Sequence, residues 1–418
     1  MNYGFLKINN FFLLFFLLYL TLITGFFFDE NLNLGALRDW KTSDSVVIND
    51  LSLNFKKTFL NYDSYGHRHS PVYLVFLSLL KKLSFSFDLI RFINLNISLL
   101  LILFFYKCLV IKFDRVEKSL LFLLSLSIFL SPTFRSLAIW PSSRLIGLIF
   151  FVASIYEFLK FSKTKKKIYI WKNIIFLILS SYISPNFSVF IVFFGYHYWK
   201  NINFKYLFRI IFFCLFFSIP AFYYLFYLDI NFLLGETPGS IPSETISLSL
   251  NFSNKILLIS SIVFFHFLPL LIDRKYLENI IYSKKKNFFF ALAFLIVNII
   301  FFNYSTNFTG GGVFFQISNV IFNNNILFYI VSFFSLLILI NLSNEDLGNF
   351  LIFFTLIISN IQNTIYHKYY DPLVLILFFT LLNTSLNLKF FNNKLNIVYV
   401  FVFYVIFIFM RIVKNYLF

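Results

Sequence analysis

Long apolar segments separated by short polar ones recur along the whole 418-residue chain, and this pattern constrains the fold more than any other feature. Hydrophobic residues make up 59% of the chain and charged residues 13%, whereas an ordinary soluble domain has about 25% charged residues. A helix of about 20 apolar residues crosses the hydrocarbon core of a bilayer and satisfies its own backbone hydrogen bonds there. The sequence therefore predicts an all-α, polytopic transmembrane helix bundle.

The apolar segments give an expected 11 to 13 spans. A break at Ser184-Pro185-Asn186 divides one long apolar region into two short segments. No internal repeat, linker or separate soluble region is visible, so we expect one membrane domain over residues 1–418. The candidate spans are 11–28, 92–110, 120–133, 145–159, 174–183, 187–198, 206–226, 256–272, 288–302, 326–341, 350–361, 372–386 and 397–410.

The basic residues predict how the chain is oriented. Lys and Arg number 35 against 18 Asp and Glu, and in a membrane protein such an excess reports loop orientation rather than nucleic-acid binding. The break above places the lysine-rich segments on one side together with the N-terminus, which predicts that this side is cytoplasmic. Lys163 to Lys167 then acts as an orientation signal that contacts lipid headgroups. The polar segment 29–91 becomes the first extracytoplasmic loop, with an interfacial helix over 71–83.

Four carboxylates of this loop are candidate functional groups. Asp29 and Glu30 follow the first apolar segment directly, and Asp39 and Asp63 lie further along. Adjacent carboxylates at a membrane surface suit a general base or a metal ligand, although acidic residues at a helix end can also be merely solvated. Neither Cys108 nor Cys214 belongs to a disulfide or metal-binding pattern. Phe is abundant, with 67 residues, as an A/T-rich genome would encode.

Five basic residues are candidate anion ligands. Arg144, at the start of a span, either faces a cavity or extends to the interface. His69 can instead be a residue that only begins a helix. His367 and Lys368 can instead anchor their segment at the interface beside tyrosines. His266, within an apolar segment, is better explained by helix packing than as a ligand. The glycines 310–312 can hinge a loop, because glycine adopts backbone angles that other residues avoid. The five candidates are Arg68, His69, Arg144, His367 and Lys368.

The order of these motifs resembles the GT-C superfamily of integral-membrane glycosyltransferases, in particular the protein-mannosyltransferase and aminoarabinose-transferase-like branch. Members of that branch have an acidic pair after the first span, a His-Pro-Pro-Leu-Tyr-like motif, and an Arg entering the second span. The corresponding residues are Asp29-Glu30, His69-Ser70-Pro71-Val72-Tyr73 and Arg91. Ser70 departs from the motif. Weaker similarities are Ser131-Pro132 followed by Trp140-Pro141-Ser142-Ser143-Arg144, where the family's acidic residue is absent, and Tyr366-His367-Lys368-Tyr369-Tyr370-Asp371-Pro372.

The resemblance implies transfer of a hexosyl or pentosyl group from a polyprenyl-phosphate donor to a hydroxyl of a glycan, lipid or protein on the extracytoplasmic face of a bacterial inner (plasma) membrane. Asp29 and Glu30 would be catalytic, Asp39 and Asp63 would serve the acceptor or the loop, and the five basic candidates would bind the donor phosphate. No cofactor is assigned, and a divalent metal is left open. We expect membrane lipids as partners and no nucleic acid.

Two other functions fit an apolar multi-span chain. A secondary transporter would have two related halves, broken helices and ionisable residues near the middle of the bilayer. A lipid-linked polysaccharide polymerase or ligase would be expected to place its principal loop late in the chain. A structural or assembly protein is a further alternative, which activity alone would exclude.

Overall fold

A computed structural model describes residues 8–33, 35–65, 70–228, 251–271, 285–305, 310–360, 362 and 364–417. It is 84% helical, and the described residues form no β-strand, which confirms the predicted all-α class. The α-helices are α1 (Ile8–Phe27), α2 (Gly35–Asp39), α3 (Ser45–Leu53), α4 (Phe55–Leu60), α5 (Pro71–Lys82), α6 (Phe87–Lys112), α7 (Lys118–Leu126), α8 (Pro132–Ile139), α9 (Ser143–Thr164), α10 (Ile168–Ile183), α11 (Ile191–Asn201), α12 (Phe204–Phe222), α13 (Phe252–Phe267), α14 (Lys285–Ile300), α15 (Gly312–Phe322), α16 (Ile326–Glu345), α17 (Leu347–Ile358), α18 (Leu373–Thr380), α19 (Ser385–Phe390) and α20 (Leu395–Leu417).

Several helices are long and apolar enough to cross a membrane, so the chain is an integral membrane protein. Within the described residues there are six of them, or seven if a pair bent by 67° at Ser131, Lys118–Leu130 with Pro132–Ile139, forms one span. The other predicted spans include shorter apolar helices, among them Phe11–Phe27 and Leu347–Ile358. The six are Phe87–Lys112, Ser143–Thr164, Phe204–Tyr227, Phe252–Leu270, Ile326–Glu345 and Leu395–Asn415.

The chain divides into two compact units, and the single domain 1–418 stays a prediction. The first unit comprises Met1–Phe187, Ile210–Leu233 and Ile397–Phe418. The second comprises Ser188–Arg209 and Leu234–Asn396.

Helices α9 and α10 of the first unit pack closely against each other, and polar side chains link them. The Asn173 amide donates to the Ser154 carbonyl at 2.8 Å, and the Ser180 hydroxyl donates to the Gly147 carbonyl at 2.7 Å. A Cβ at residue 147 would lie 2.6 Å from the Ser184 Cβ, so the backbones can approach this closely only because residue 147 is glycine. Small and polar residues drive helix association in lipid, where both helix and solvent are apolar.

The predicted first loop is largely helical. Its segment between α1 and α6 contains α2 to α5, and the predicted interfacial helix forms as Pro71–Lys82. The Ser70 hydroxyl caps it by accepting from the Val72 N–H, and Pro71 suits the first helical position because its missing N–H has no partner there anyway. Its 12 residues are too few to span a bilayer, as expected for a helix at the interface.

A lysine-rich part of the first unit contains an ion pair that joins the loop after α6 to the end of α9. The Lys163 ammonium lies 2.8 Å from the Asp114 carboxylate. Lys163 lowers the pKa of Asp114 by this hydrogen bond and by its charge.

In the second unit, a turn with three consecutive left-handed glycines holds the segment before His367. Gly310, Gly311 and Gly312 have φ of 121°, 82° and 80°. The Gly311 N–H donates to the Ile365 carbonyl at 2.8 Å, and a Cβ at Gly310 would lie 2.6 Å from that oxygen. The glycines were predicted to hinge a loop, and the structure shows this part of the loop fixed against residue 365.

Candidate functional site

The site begins at the end of α1, where the backbone turns sharply. The Asp29 N–H donates to the Phe26 carbonyl at 3.3 Å and the Glu30 N–H donates to the Gly25 carbonyl at 2.8 Å, which is the hydrogen-bond pattern of a Schellman motif. Asp29 occupies the position usually taken by glycine and has a φ of 51°. A left-handed residue other than glycine costs about 1–2 kcal/mol, so the surrounding structure must compensate for this conformation.

Arg91 of α6 holds the Asp29 carboxylate. Its Nη2 lies 2.7 Å from Oδ1 of Asp29, and its Nη1 lies 3.1 Å from Oδ1 of Asp88. The Asp29 side chain is 51% exposed, whereas that of Arg91 is 8% exposed. The carboxylate is therefore held on one side by a buried cation and stays accessible on the other.

The Arg91 guanidinium itself packs against two aromatic rings. Its central carbon lies 3.7 Å from the ring centroid of Trp140 and 4.9 Å from that of Phe26. Such stacking stabilises the cation by about 0.5–2 kcal/mol, depending on exposure. Arg91 Nε also donates to the Ile139 carbonyl at 3.4 Å, at the end of α8.

Arg135 of α8 holds the second carboxylate. Its Nε and Nη2 donate to Oε1 and Oε2 of Glu30 at 2.7 and 2.6 Å, a two-point contact of a planar guanidinium with a carboxylate. Nη1 donates to the Thr21 hydroxyl at 3.1 Å and Nη2 donates to the Thr21 carbonyl at 3.0 Å. Glu30 and Arg135 are 21% and 7% exposed at their side chains, so this pair is more buried than Asp29.

The short helix α8 positions Arg135 because both of its ends are satisfied by side chains. The Ser131 hydroxyl accepts from the Phe134 N–H at 3.0 Å at the start of α8. At the other end, the Asn94 amide donates to the carbonyls of Leu137 and Ala138 at 3.1 and 2.7 Å. Every residue from Pro132 to Ile139 is buried, so the orphaned polar groups of this helix need such partners.

Asp39 and Asp63, the other two carboxylate candidates, lie on separate elements of the first loop. Asp39 ends α2 and accepts from the Arg38 guanidinium at 3.3 Å. Asp63 is exposed in the 3₁₀ turn Tyr62–Tyr65. Burial, together with the charges of Asp44 and Asp63, raises the pKa of Tyr62 well above its usual value, which keeps this phenol protonated.

Arg144, the basic candidate in the described part of the first unit, opens the long helix α9. Its side chain is half-buried, and its backbone N–H donates to the Ser142 hydroxyl at 3.3 Å. Arg68 and His69 lie outside the described residues.

His367 and Lys368 belong to the second unit. His367 is buried and its Nε2 lies 2.9 Å from Nε2 of His266, while the Lys368 ammonium lies 5.0 Å from the ring centroid of Tyr366. His266 is thus a buried, hydrogen-bonded residue with a partner that the sequence did not predict.

Several residues that form the site were not among the candidates. Arg135 and Gly25 were not predicted, and Arg91 and Trp140 entered only through the family resemblance. The signal for Arg135 was present, since it is a lone charge within an apolar stretch of α8, where a charge is costly and usually has a specific partner. Among the described residues, no group of three His, Cys, Asp or Glu side chains is arranged to hold a metal ion.

No protein-family model, curated protein or solved structure matches the chain.

Proposed function

We propose that the chain is a membrane glycosyltransferase that transfers a sugar from a polyprenyl-phosphate donor to a hydroxyl acceptor at the extracytoplasmic face, with Asp29 as the general base. The observation that carries the proposal is the Asp29 carboxylate, which is half exposed and held by Arg91 in a left-handed turn at a helix end. Strained backbone at an exposed, ion-paired carboxylate is typical of functional sites. The order of sequence motifs supports the same class.

The chemistry requires a proton acceptor and a stabilised leaving group. The acceptor oxygen forms a bond to the anomeric carbon and passes its proton to Asp29, while the bond from that carbon to the phosphate oxygen breaks. The polyprenyl phosphate leaves with the electron pair. A cation near that oxygen would stabilise the developing charge. Arg144 is our first choice for this role, because it lies at the start of the long apolar helix α9, where an arginine usually faces a cavity. Arg68, His69, His367 and Lys368 remain candidates.

The cellular placement belongs to the same proposal. A cytoplasmic N-terminus in a bacterial inner membrane would put Asp29, at the far end of α1, on the extracytoplasmic side. The donor sugar and the acceptor would then both meet the site from that side.

The test compares purified Asp29→Asn with the wild type in detergent, using a panel of polyprenyl-phosphate hexoses and pentoses and measuring release of polyprenyl phosphate. Asn tolerates the left-handed turn but cannot accept the proton, so transfer should fall by about 10²–10⁴-fold. Asp114→Asn is the matched control and should retain activity. Full activity in Asp29→Asn would exclude this base. Arg144→Ala should raise the KM for the donor more than that for the acceptor, and equal effects would argue against phosphate binding.

One observation favours a secondary transporter as the second candidate. The 67° bend between α7 and α8 places the buried Arg135 just after a helix break, and broken helices with charged residues are common at transport sites. Uptake of a sugar or sugar phosphate by proteoliposomes that lack any lipid-linked donor would support transport over transfer. A polymerase or ligase would instead use the lipid-linked donor and extend or attach a glycan chain.

A further inference from the structure

We propose that Glu30 is a positioning residue rather than a second catalytic acid, and that it acts through a clamp formed by Gly25, Glu30, Arg135 and Trp140. The clamp fixes the turn that presents Asp29. This inference rests on the proposed function for its kinetic consequences, but the clamp itself can be tested without any activity.

The two carboxylates of the acidic pair differ in how their oxygens are bound and in how exposed their side chains are. Both oxygens of Glu30 already accept from Arg135, at 2.7 and 2.6 Å, and Asp29 accepts from Arg91 through Oδ1. The Glu30 carboxylate is thus bound through both of its oxygens to a buried cation. The Asp29 side chain, at 51% exposed against 21% for Glu30, is the one that a substrate can reach.

Three groups of Glu30 form hydrogen bonds that hold the residue in place. Its N–H donates to the Gly25 carbonyl, its carbonyl accepts from Nε1 of Trp140 at 2.9 Å, and its carboxylate accepts from Arg135. Because these contacts fix the position of Glu30, the backbone of Asp29 must turn to connect the end of α1 to it. This constraint accounts for the left-handed backbone of Asp29.

Gly25 provides the space that the clamp needs. A Cβ at this position would lie 2.6 Å from Oε2 of Glu30 and 3.2 Å from Nη2 of Arg135. The first distance is shorter than real Cβ contacts, so any larger residue would displace the ion pair. The clamp therefore depends on α1 as well as on α8.

Trp140 joins the clamp to the Asp29 side of the site. Its indole N–H binds the Glu30 carbonyl, while its ring lies under the Arg91 guanidinium that holds Asp29. A shift of Glu30 should therefore displace Asp29 in two ways. It would move the adjoining backbone, and it would move the Trp140 indole that supports Arg91. Misplacement of a catalytic group by about 1 Å can cost about 100-fold in rate.

The first experiment measures carboxylate reactivity in the full-length protein in detergent. A water-soluble carbodiimide with glycine ethyl ester modifies accessible carboxylates, and mass spectrometry measures Asp29 and Glu30 separately. Asp29 should react about tenfold faster than Glu30, or more, the scale of one charge-assisted hydrogen bond. Arg135→Lys should bring the ratio towards one, and the matched control Glu117→Gln should leave it unchanged. Equal reactivity in the wild type would overturn the clamp.

The second experiment measures kinetics. Glu30→Gln should lower kcat by about 10- to 100-fold with an unchanged KM for the donor, and should retain the acidic limb of the pH–rate profile because Asp29 is still the base. If Glu30→Gln instead removed that limb, Glu30 would be the base and the inference would be wrong.

Should the single variant not fold, Glu30→Gln with Arg135→Gln removes both charges and should show the same fall in kcat. If no donor is turned over by the wild type, the proposed function fails, and the carbodiimide ratio still decides on the clamp.

Discussion

Arg91 lies against the indole of Trp140, 3.7 Å from guanidinium carbon to ring centroid, and in that position its Nη2 reaches Asp29 at 2.7 Å. The two residues are on different elements, α6 and the connection after α8. The aromatic face thus sets the direction of the guanidinium, and the guanidinium sets the direction of the carboxylate. A planar, stacking cation is needed here, which lysine cannot supply.

Arg91→Lys should therefore impair the site even though it keeps the positive charge, because lysine can neither stack on Trp140 nor offer a planar fork of donors. We expect Arg91→Lys to reduce sugar transfer strongly while the protein still folds, and Arg91→Met to lower the free energy of unfolding by about 2 kcal/mol. The latter is below the ~3–5 kcal/mol for fully buried pairs, because Asp29 is half exposed. Unfolding in mixed micelles measures the second effect. Wild-type activity in Arg91→Lys would show that stacking and fork geometry are unimportant.

Two glycines offer a matched pair for testing the space at the clamp. Gly25→Ala should destabilise the fold by about 1–3 kcal/mol, since the new methyl group overlaps the Glu30 carboxylate. Gly195 lies within α11, and a Cβ there would meet nothing within 4 Å. Gly195→Ala should therefore stabilise the helix by up to about 1 kcal/mol. Thermal unfolding of both variants in detergent would measure the contrast, and equal effects would contradict it.

The ion pair between Asp114 and Lys163 predicts a pH dependence of known sign. Because Lys163 lowers the pKa of Asp114 in the folded protein, the pair stabilises the fold above the ordinary Asp pKa. That contribution is lost as the pH falls through the lowered pKa. The stability difference between wild type and Asp114→Asn should thus be positive at neutral pH and vanish in acid. A difference that persists below the lowered pKa would point to another role for Asp114.

Single-cysteine labelling tests the predicted orientation. In a background with Cys108→Ala and Cys214→Ala, Asp63→Cys should react with a membrane-impermeant maleimide in intact cells. Asp114→Cys should react only after permeabilisation, since it lies beside the lysine-rich end of α9. The reverse pattern would place Asp29 on the cytoplasmic side and remove the proposed site from its donor.

Local features of the fold could be predicted because they depend on neighbouring residues. The apolar segments indicated helices, Pro71 indicated the start of α5, and the predicted break at Ser184-Pro185-Asn186 coincides with the end of α10 at Ile183. The polarity of segment 29–91 concealed the helices α2 to α4, whose buried faces are too short for a clear periodic signal.

The contacts of the site could not be predicted in this way. Glu30 and Arg135 are 105 positions apart, and Asp29 and Arg91 are 62 apart. Composition and spacing carry no information on such pairings, which arise only when α1, α6 and α8 pack together. Nothing in the sequence around Asp29 indicated a left-handed residue either, because the usual glycine is absent.

The Trp140 indole makes two different contacts: its ring stacks against the Arg91 guanidinium, and its N–H donates to the Glu30 carbonyl. The chain has 67 phenylalanines and only four tryptophans, as an A/T-rich coding bias would produce. Phenylalanine at 140 could replace the ring but has no N–H to offer. A change from tryptophan to phenylalanine here would therefore remove the donor to the Glu30 carbonyl, so a coding bias towards phenylalanine would oppose the chemistry at this one position.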